Sequence, residues 1–268
     1  GAIFQFIHIW RMPLFFILAG FFANLVVSRK SWKRWWGNRL LRIGLPIVVF
    51  FPLMSLTLPW IFHYGKTGNL TLFYSNEGQP FHLWFLWHLI IFVIFTAIFR
   101  LPYLLGNRIL RGLGKNKWGS IDSILSKVKS ILSGMVFRSR FPIAFIILCW
   151  VMNISTGGEL TGNPLASGLY FASGYSLYGN ASLFTFLKAH WRYYLLVGLV
   201  SFTVYMILNV TGASEQEKER AELLWAIIVF IKIICAVFFS YALIGLSERL
   251  FGSYNAKLRF ISDGAYWM

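Results

Sequence analysis

The chain has 268 residues, 57% of them hydrophobic and only 13% charged, with a mean hydropathy of +0.64. Soluble domains carry about 25% charge, so this balance disfavours a water-soluble globule and excludes disordered, collagenous and disulfide-framed chains. The net charge of +16 would ordinarily suggest nucleic acid, but among 27 Phe and 12 Trp it reads as the loop charge of a polytopic membrane protein with no nucleic-acid partner.

A bilayer core about 30 Å thick calls for roughly 20 apolar residues per helix. In chain order, such stretches run Ile3–Val27, Ile43–Phe62, Leu83–Phe99, Phe141–Ile154, Leu165–Tyr178, Tyr193–Val210 and Leu223–Leu246. A further apolar run starts at Phe260 and stops at Met268. The predicted fold class is therefore all-α, a transmembrane helix bundle of seven spans plus the start of another. The two cysteines, Cys149 and Cys235, lie inside apolar runs and read as small core residues.

The segments between the spans alternate in charge. Ser28–Arg42 holds six basic and no acidic residues, and Arg100–Arg140 holds nine basic residues against Asp122. Leu183–Arg192 and Ser247–Arg259 are also net basic, whereas His63–Phe81, Ser155–Pro164 and Thr211–Glu222 are neutral or acidic. The positive-inside rule puts the basic set in the cytoplasm and Gly1 outside. The first span has no basic n-region, so it is no signal peptide. There is no initiator Met and the end falls within an apparent helix, so the expectation is a fragment of a longer protein. Within residues 100–140, apolar residues at 121, 124, 125, 128, 131, 132, 135 and 136 repeat every 3.6 residues. That pattern predicts an amphipathic helix over 121–136, either in the headgroup region or packed on the base of the bundle. Trp32, Trp35 and Trp36, beside Lys33 and Arg34, read as an interfacial aromatic belt.

Common soluble-enzyme signatures, including a P-loop, HExxH and GxSxG, are missing. The candidates are polar groups at membrane depth, where a charge costs about 2.5–3.5 kcal/mol on insertion scales. Arg11 stands two residues before Pro13, whose missing N–H frees a carbonyl one turn back. Its guanidinium could hold a carbonyl or anionic oxygen, or pair with a carboxylate, or snorkel. His8 lies on the same face but near the outer surface. Arg39 and Arg42, at i,i+3, stack two guanidinium forks on one face, a pattern that suits a phosphorylated cytoplasmic ligand or a simple positive anchor. His82, at the outer mouth of the third span, could act as acid, base or hydrogen-bond donor. His88, about 9 Å deeper, reads more simply as an interhelical hydrogen-bonder. Lys232 and Asp263 are plausible cavity or pairing charges.

In order along the chain, four motifs resemble the acyltransferase-3 family of membrane proteins, with its glucan-biosynthesis branch nearest. Phe6-Ile7-His8-Ile9-Trp10-Arg11-Met12-Pro13-Leu14-Phe15-Phe16 resembles the family's second helix, and Arg39-Leu40-Leu41-Arg42-Ile43-Gly44-Leu45-Pro46 its R-x-x-R-I-x-x-P stretch. His82-Leu83-Trp84-Phe85-Leu86 resembles its H-L-W-F-L motif, and Phe260-Ile261-Ser262-Asp263-Gly264 the opening of its last helix.

The resemblance implies one membrane-embedded acyltransferase-3-like domain over residues 1–268, an incomplete form of a fold of about ten helices. It implies O-acyl transfer from cytoplasmic acyl-CoA to a hydroxyl of a glycan or lipid-linked saccharide, such as acetylation or succinylation, with no metal. Arg11 and His82 would line the transfer path, and Arg39 and Arg42 would hold coenzyme A phosphates. The implied partners are acyl-CoA, the saccharide acceptor and membrane lipids, in a bacterial inner (plasma) membrane. The family's histidine base would precede Gly1, so this stretch alone is expected to be inactive. A transporter or flippase for a polar or lipid-linked substrate is the competing reading.

Overall fold

Where water is absent, a helix satisfies every backbone N–H and C=O within one segment, and each long apolar stretch is helical over its described residues. The computed structural model describes residues 2–29, 32–69, 83–96, 98, 127, 130–131, 133–139, 142–155, 160, 162–178, 180–211 and 218–253. Among them lie α1 (Ala2–Arg29), α2 (Trp32–Thr67), α3 (Trp84–Thr96), α4 (Ile143–Ile154), α5 (Pro164–Leu177), α6 (Ala181–Thr211) and α7 (Lys218–Phe251). No described residue forms a strand.

All seven predicted spans coincide with helices, and four of these are long and apolar enough to cross a membrane: α1, α2, α6 and α7. At 1.5 Å per residue, the 12 residues of α4 and the 14 of α5 reach only about 18 and 21 Å. Asn163 starts α5: its side chain accepts from the Leu165 N–H at 2.9 Å, and Pro164 fills the first helical position, where no N–H is needed.

Several boundaries differ from the charge-based reading: residues 32–42 and 63–67 belong to α2 and residues 218–222 to α7. Leu183–Arg192 is not a loop but the opening of α6, and residues 247–251 belong to α7. The charges are tolerated because Lys188, Arg192 and Arg249 are exposed, while Leu183 and Leu187 on α6 are buried. Of the predicted amphipathic helix, residues 133–137 are helical, and most of 121–132 lies outside the described residues. Phe137 and Ser133 are its buried side chains, whereas Ile131 and Met135 of the apolar stripe are exposed.

The chain divides into two compact units, Leu25–Ser123 on one hand and Gly1–Asn24 with Ile124–Met268 on the other. In the second of these, helices pack through small residues, as they must where lipid offers no hydrophobic drive to associate. Gly20 of α1 lies against the Phe171 carbonyl of α5, and Gly174 of α5 lies against the Ile17 carbonyl of α1. Phe21 meets Tyr178 in the same register, so α1 and α5 run parallel. Gly245 of α7 rests on the Leu187 carbonyl of α6 and Phe239 on Gly198, so α6 and α7 run antiparallel. Trp150 of α4 donates to the Ala226 carbonyl of α7 at 2.9 Å, and Phe137, just before α4, meets Tyr241. That pair is antiparallel too. Within each of these pairs the relative direction is the one that the charge alternation gives.

Buried tyrosines close this unit at one end. Tyr241 donates to the Val136 carbonyl at 2.9 Å and Tyr194 to the Ser139 carbonyl at 3.3 Å. These are carbonyls in and just past the last turn of the 133–137 segment, where intrahelical partners run out. Cys149 and Cys235 are buried free thiols, as their apolar settings predict. Asn24 extends the α1–α5 contact by donating to the Tyr175 carbonyl at 2.6 Å. Asn24→Leu is expected to cost about 1 kcal/mol, read as a fall in the thermal unfolding midpoint in detergent.

In the Leu25–Ser123 unit, α2 exposes Leu41, Leu45, Val48, Leu53 and Leu56, a surface suited to lipid. In α3, His88 is buried between Trp84 and Phe92, with ring centroids 5.3 and 6.3 Å away.

Candidate functional site

The candidate residues are scattered along the chain. Arg11 lies on α1, nine residues and about 14 Å along from its first residue. The helix continues through Pro13, which is buried, while Arg11 is exposed. Helical spacing puts Arg11 on one face with Leu14, Leu18 and Phe22. Trp10, beside it, points another way: its buried indole N–H has no hydrogen-bond partner among the described residues. His8 is exposed and stacks on Phe4 at 5.5 Å. An exposed aromatic stack at the start of α1 agrees with the reading of His8 as a solvated surface group.

Arg39 and Arg42 belong to α2, where Arg39 is half-buried and Arg42 exposed. Their three-residue spacing leaves both on one side of the helix, four to seven residues ahead of Pro46. His82 and Asp263 lie outside the described residues. Lys232 is half-buried in the middle of α7. Arg11 stands in one compact unit and Arg39 and Arg42 in the other. No group of three or more His, Cys, Asp or Glu gathers among the described residues.

Two features were not legible as sites in the sequence. One is a groove of about 260 Å³ between the Arg11 face of α1 and the end of α7, lined by Leu14, Leu18 and Phe22 on one side and Ile244, Ser247 and Glu248 on the other. The other is Trp191 of α6, whose ring has the Arg192 guanidinium 5.5 Å and the Arg249 guanidinium 5.7 Å from its centroid. Arg192 and Arg249 are 57 residues apart, so only the antiparallel pairing of α6 and α7 brings them to one indole. In the sequence each is one more basic residue near a helix end.

Comparison with known proteins adds a family. Residues 1–268, the whole chain, match the family Acyl_transf_3, described as an acyltransferase domain. The glucans biosynthesis protein C of Salmonella paratyphi B (strain ATCC BAA-1250 / SPB7) is 33% identical over 100 residues, which is 35% of this chain and 26% of that protein. Its namesakes in Salmonella heidelberg (strain SL476) and Salmonella enteritidis PT4 (strain P125109) match over the same shares. The matched stretch thus covers about a quarter of the length of these relatives. No solved structure matches the chain.

Proposed function

The chain belongs to the acyltransferase-domain family Acyl_transf_3, and from that premise we propose that it acts in an integral membrane O-acyltransferase. The reaction is transfer of an acyl group from acyl-CoA to a hydroxyl of a glycan or lipid-linked saccharide. The acceptor oxygen attacks the thioester carbonyl carbon, the C–S bond breaks, and coenzyme A leaves as the thiol. The hydroxyl proton passes to a base and on to the departing sulfur. The setting is a bacterial inner membrane with the basic segments cytoplasmic.

The observation that carries this reading is Arg11, a guanidinium exposed on an apolar 28-residue helix in a chain of this family. A cation held there at a cost of about 2.5–3.5 kcal/mol is suited to the negative charge that develops on the thioester oxygen as the hydroxyl attacks. Arg39 and Arg42 supply planar forks for the phosphates of coenzyme A. His82 hydrogen-bonds the acceptor along the transfer path.

The test is direct. Membranes carrying the full-length protein, given acyl-CoA and a glucan acceptor, should yield an ester-linked acyl group on the glycan and free coenzyme A. Movement of the glycan across the membrane without acylation would replace this reading with transport. In the same protein, Arg39→Ala with Arg42→Ala should weaken acyl-CoA binding by about a hundredfold or more, since each charge-assisted bond to phosphate is worth about 1.5–3 kcal/mol and about 1.4 kcal/mol is tenfold. Calorimetric titration with a non-hydrolysable acyl-CoA analogue measures it. Unchanged affinity would remove both arginines from the donor site.

A further inference from the structure

Trp191 sits where α6 crosses α7 near the end of the bundle: Gly245 packs on its Cβ, and Arg192 and Arg249 both lie over its ring. Side chains on a helix tilt toward its N-terminus, so Arg192 leans down α6 toward the end of α7 that bears Arg249. Both arginines are exposed, and so is Lys188, one turn before Arg192. Two guanidinium groups held against one indole can present their forks as donors to a phosphate.

The groove described above is lined by neighbouring turns of the same two helices. Ile244, Ser247, Glu248 and Phe251 face it, and Arg249 is next along the same helix end. Phe184, one turn before Lys188 on α6, lines it as well. Apart from Ser247 and Glu248 its walls are apolar, with Leu14, Leu18 and Phe22 of α1 opposite. An apolar slot with an aromatic–arginine platform on neighbouring turns of the same helices matches one chemistry, a hydrocarbon chain joined to an anionic phosphate. Glu248 and Ser247 at the slot's end can accept hydrogen bonds from headgroup hydroxyls.

We infer that the α1–α7 groove and the Trp191–Arg192–Arg249 platform form a single binding site for one anionic phospholipid, its phosphate on the two arginines and an acyl chain between α1 and α7. None of Arg11, Arg39 and Arg42 lines the groove or the platform, and the inference stands whether or not the chain belongs to an O-acyltransferase that uses acyl-CoA.

Native mass spectrometry of the chain released from detergent, after exchange with phosphatidylglycerol or phosphatidylcholine, tests it. The wild type should retain one phosphatidylglycerol in preference to phosphatidylcholine. Arg192→Gln with Arg249→Gln should cut that preference roughly thirtyfold, from about a factor of five per basic side chain. The double Lys replacement should keep most of it. Leu18→Trp, which fills the groove from a partly exposed position, should lower retention of both lipids at an unchanged unfolding temperature. Arg138→Gln, another exposed cation of this unit, should change nothing. Equal loss in Arg138→Gln, undiminished retention in Leu18→Trp, or a dimer covering the groove in place of lipid would overturn the proposal. So would displacement of the lipid by equimolar acyl-CoA or inorganic phosphate, which would give the platform to a soluble ligand.

Discussion

Arg11→Ala in the full-length protein is expected to lower the rate of acyl transfer by about 10²–10³-fold, the loss that follows removal of one preorganised donor to a developing oxyanion. Folding should be unaffected, because Arg11 is exposed and its loss opens no cavity in the packed unit. The effect should fall on kcat rather than on the donor's KM, since the guanidinium gains most when the carbonyl oxygen carries full negative charge. Arg11→Lys should recover only part of the loss: an ammonium keeps the charge but not the planar fork. Steady-state rates of coenzyme A release, with saturating acceptor, distinguish these cases. A change confined to KM would make Arg11 a binding residue. Full activity in Arg11→Ala would show that its charge merely snorkels to the membrane surface.

The sequence revealed the elements of this fold far better than their assembly. Apolar runs of about 20 residues located α1, α2, α6 and α7 because a helix in lipid must be apolar along its whole length, a signal that needs no partner. α4 and α5 were found as short apolar runs too, the first opening after Pro142 and the second at Asn163-Pro164. Charge misled at α6: Lys188 and Arg192 resemble loop residues until their exposed, snorkelling positions on a helix are seen. Arg39 and Arg42 were legible as a pair because their partnership is local, three residues along one helix. The Trp191 platform was not, because it joins Arg192 to Arg249 across 57 residues of chain. The same holds for Gly20 and Gly174. Each is an unremarked glycine in an apolar run, and only the parallel pairing of α1 with α5 shows what it is for.

Gly174→Ala should therefore destabilise the protein, against the usual trend in which Ala improves a helix by up to about 1 kcal/mol over Gly. A Cβ at position 174 would overlap the Ile17 carbonyl, and the contact is with backbone, so no side chain can turn aside. α1 and α5 must separate, which also strains the Asn24 bond to the Tyr175 carbonyl and the facing Gly20 contact. Overpacking in cores costs typically 1–3 kcal/mol, and Gly174→Leu should exceed that range and leave little folded protein. Gly44 provides the control. It also lies in a helix, but nothing stands within 4 Å of a Cβ built there. Gly44→Ala should leave the thermal midpoint unchanged or raise it slightly. The same substitution at two helical glycines thus gives opposite signs, decided by what lies across from each. Equal midpoints for the two variants would mean that α1 and α5 do not pack backbone to backbone, and the Arg11 face would then have no fixed position against α7.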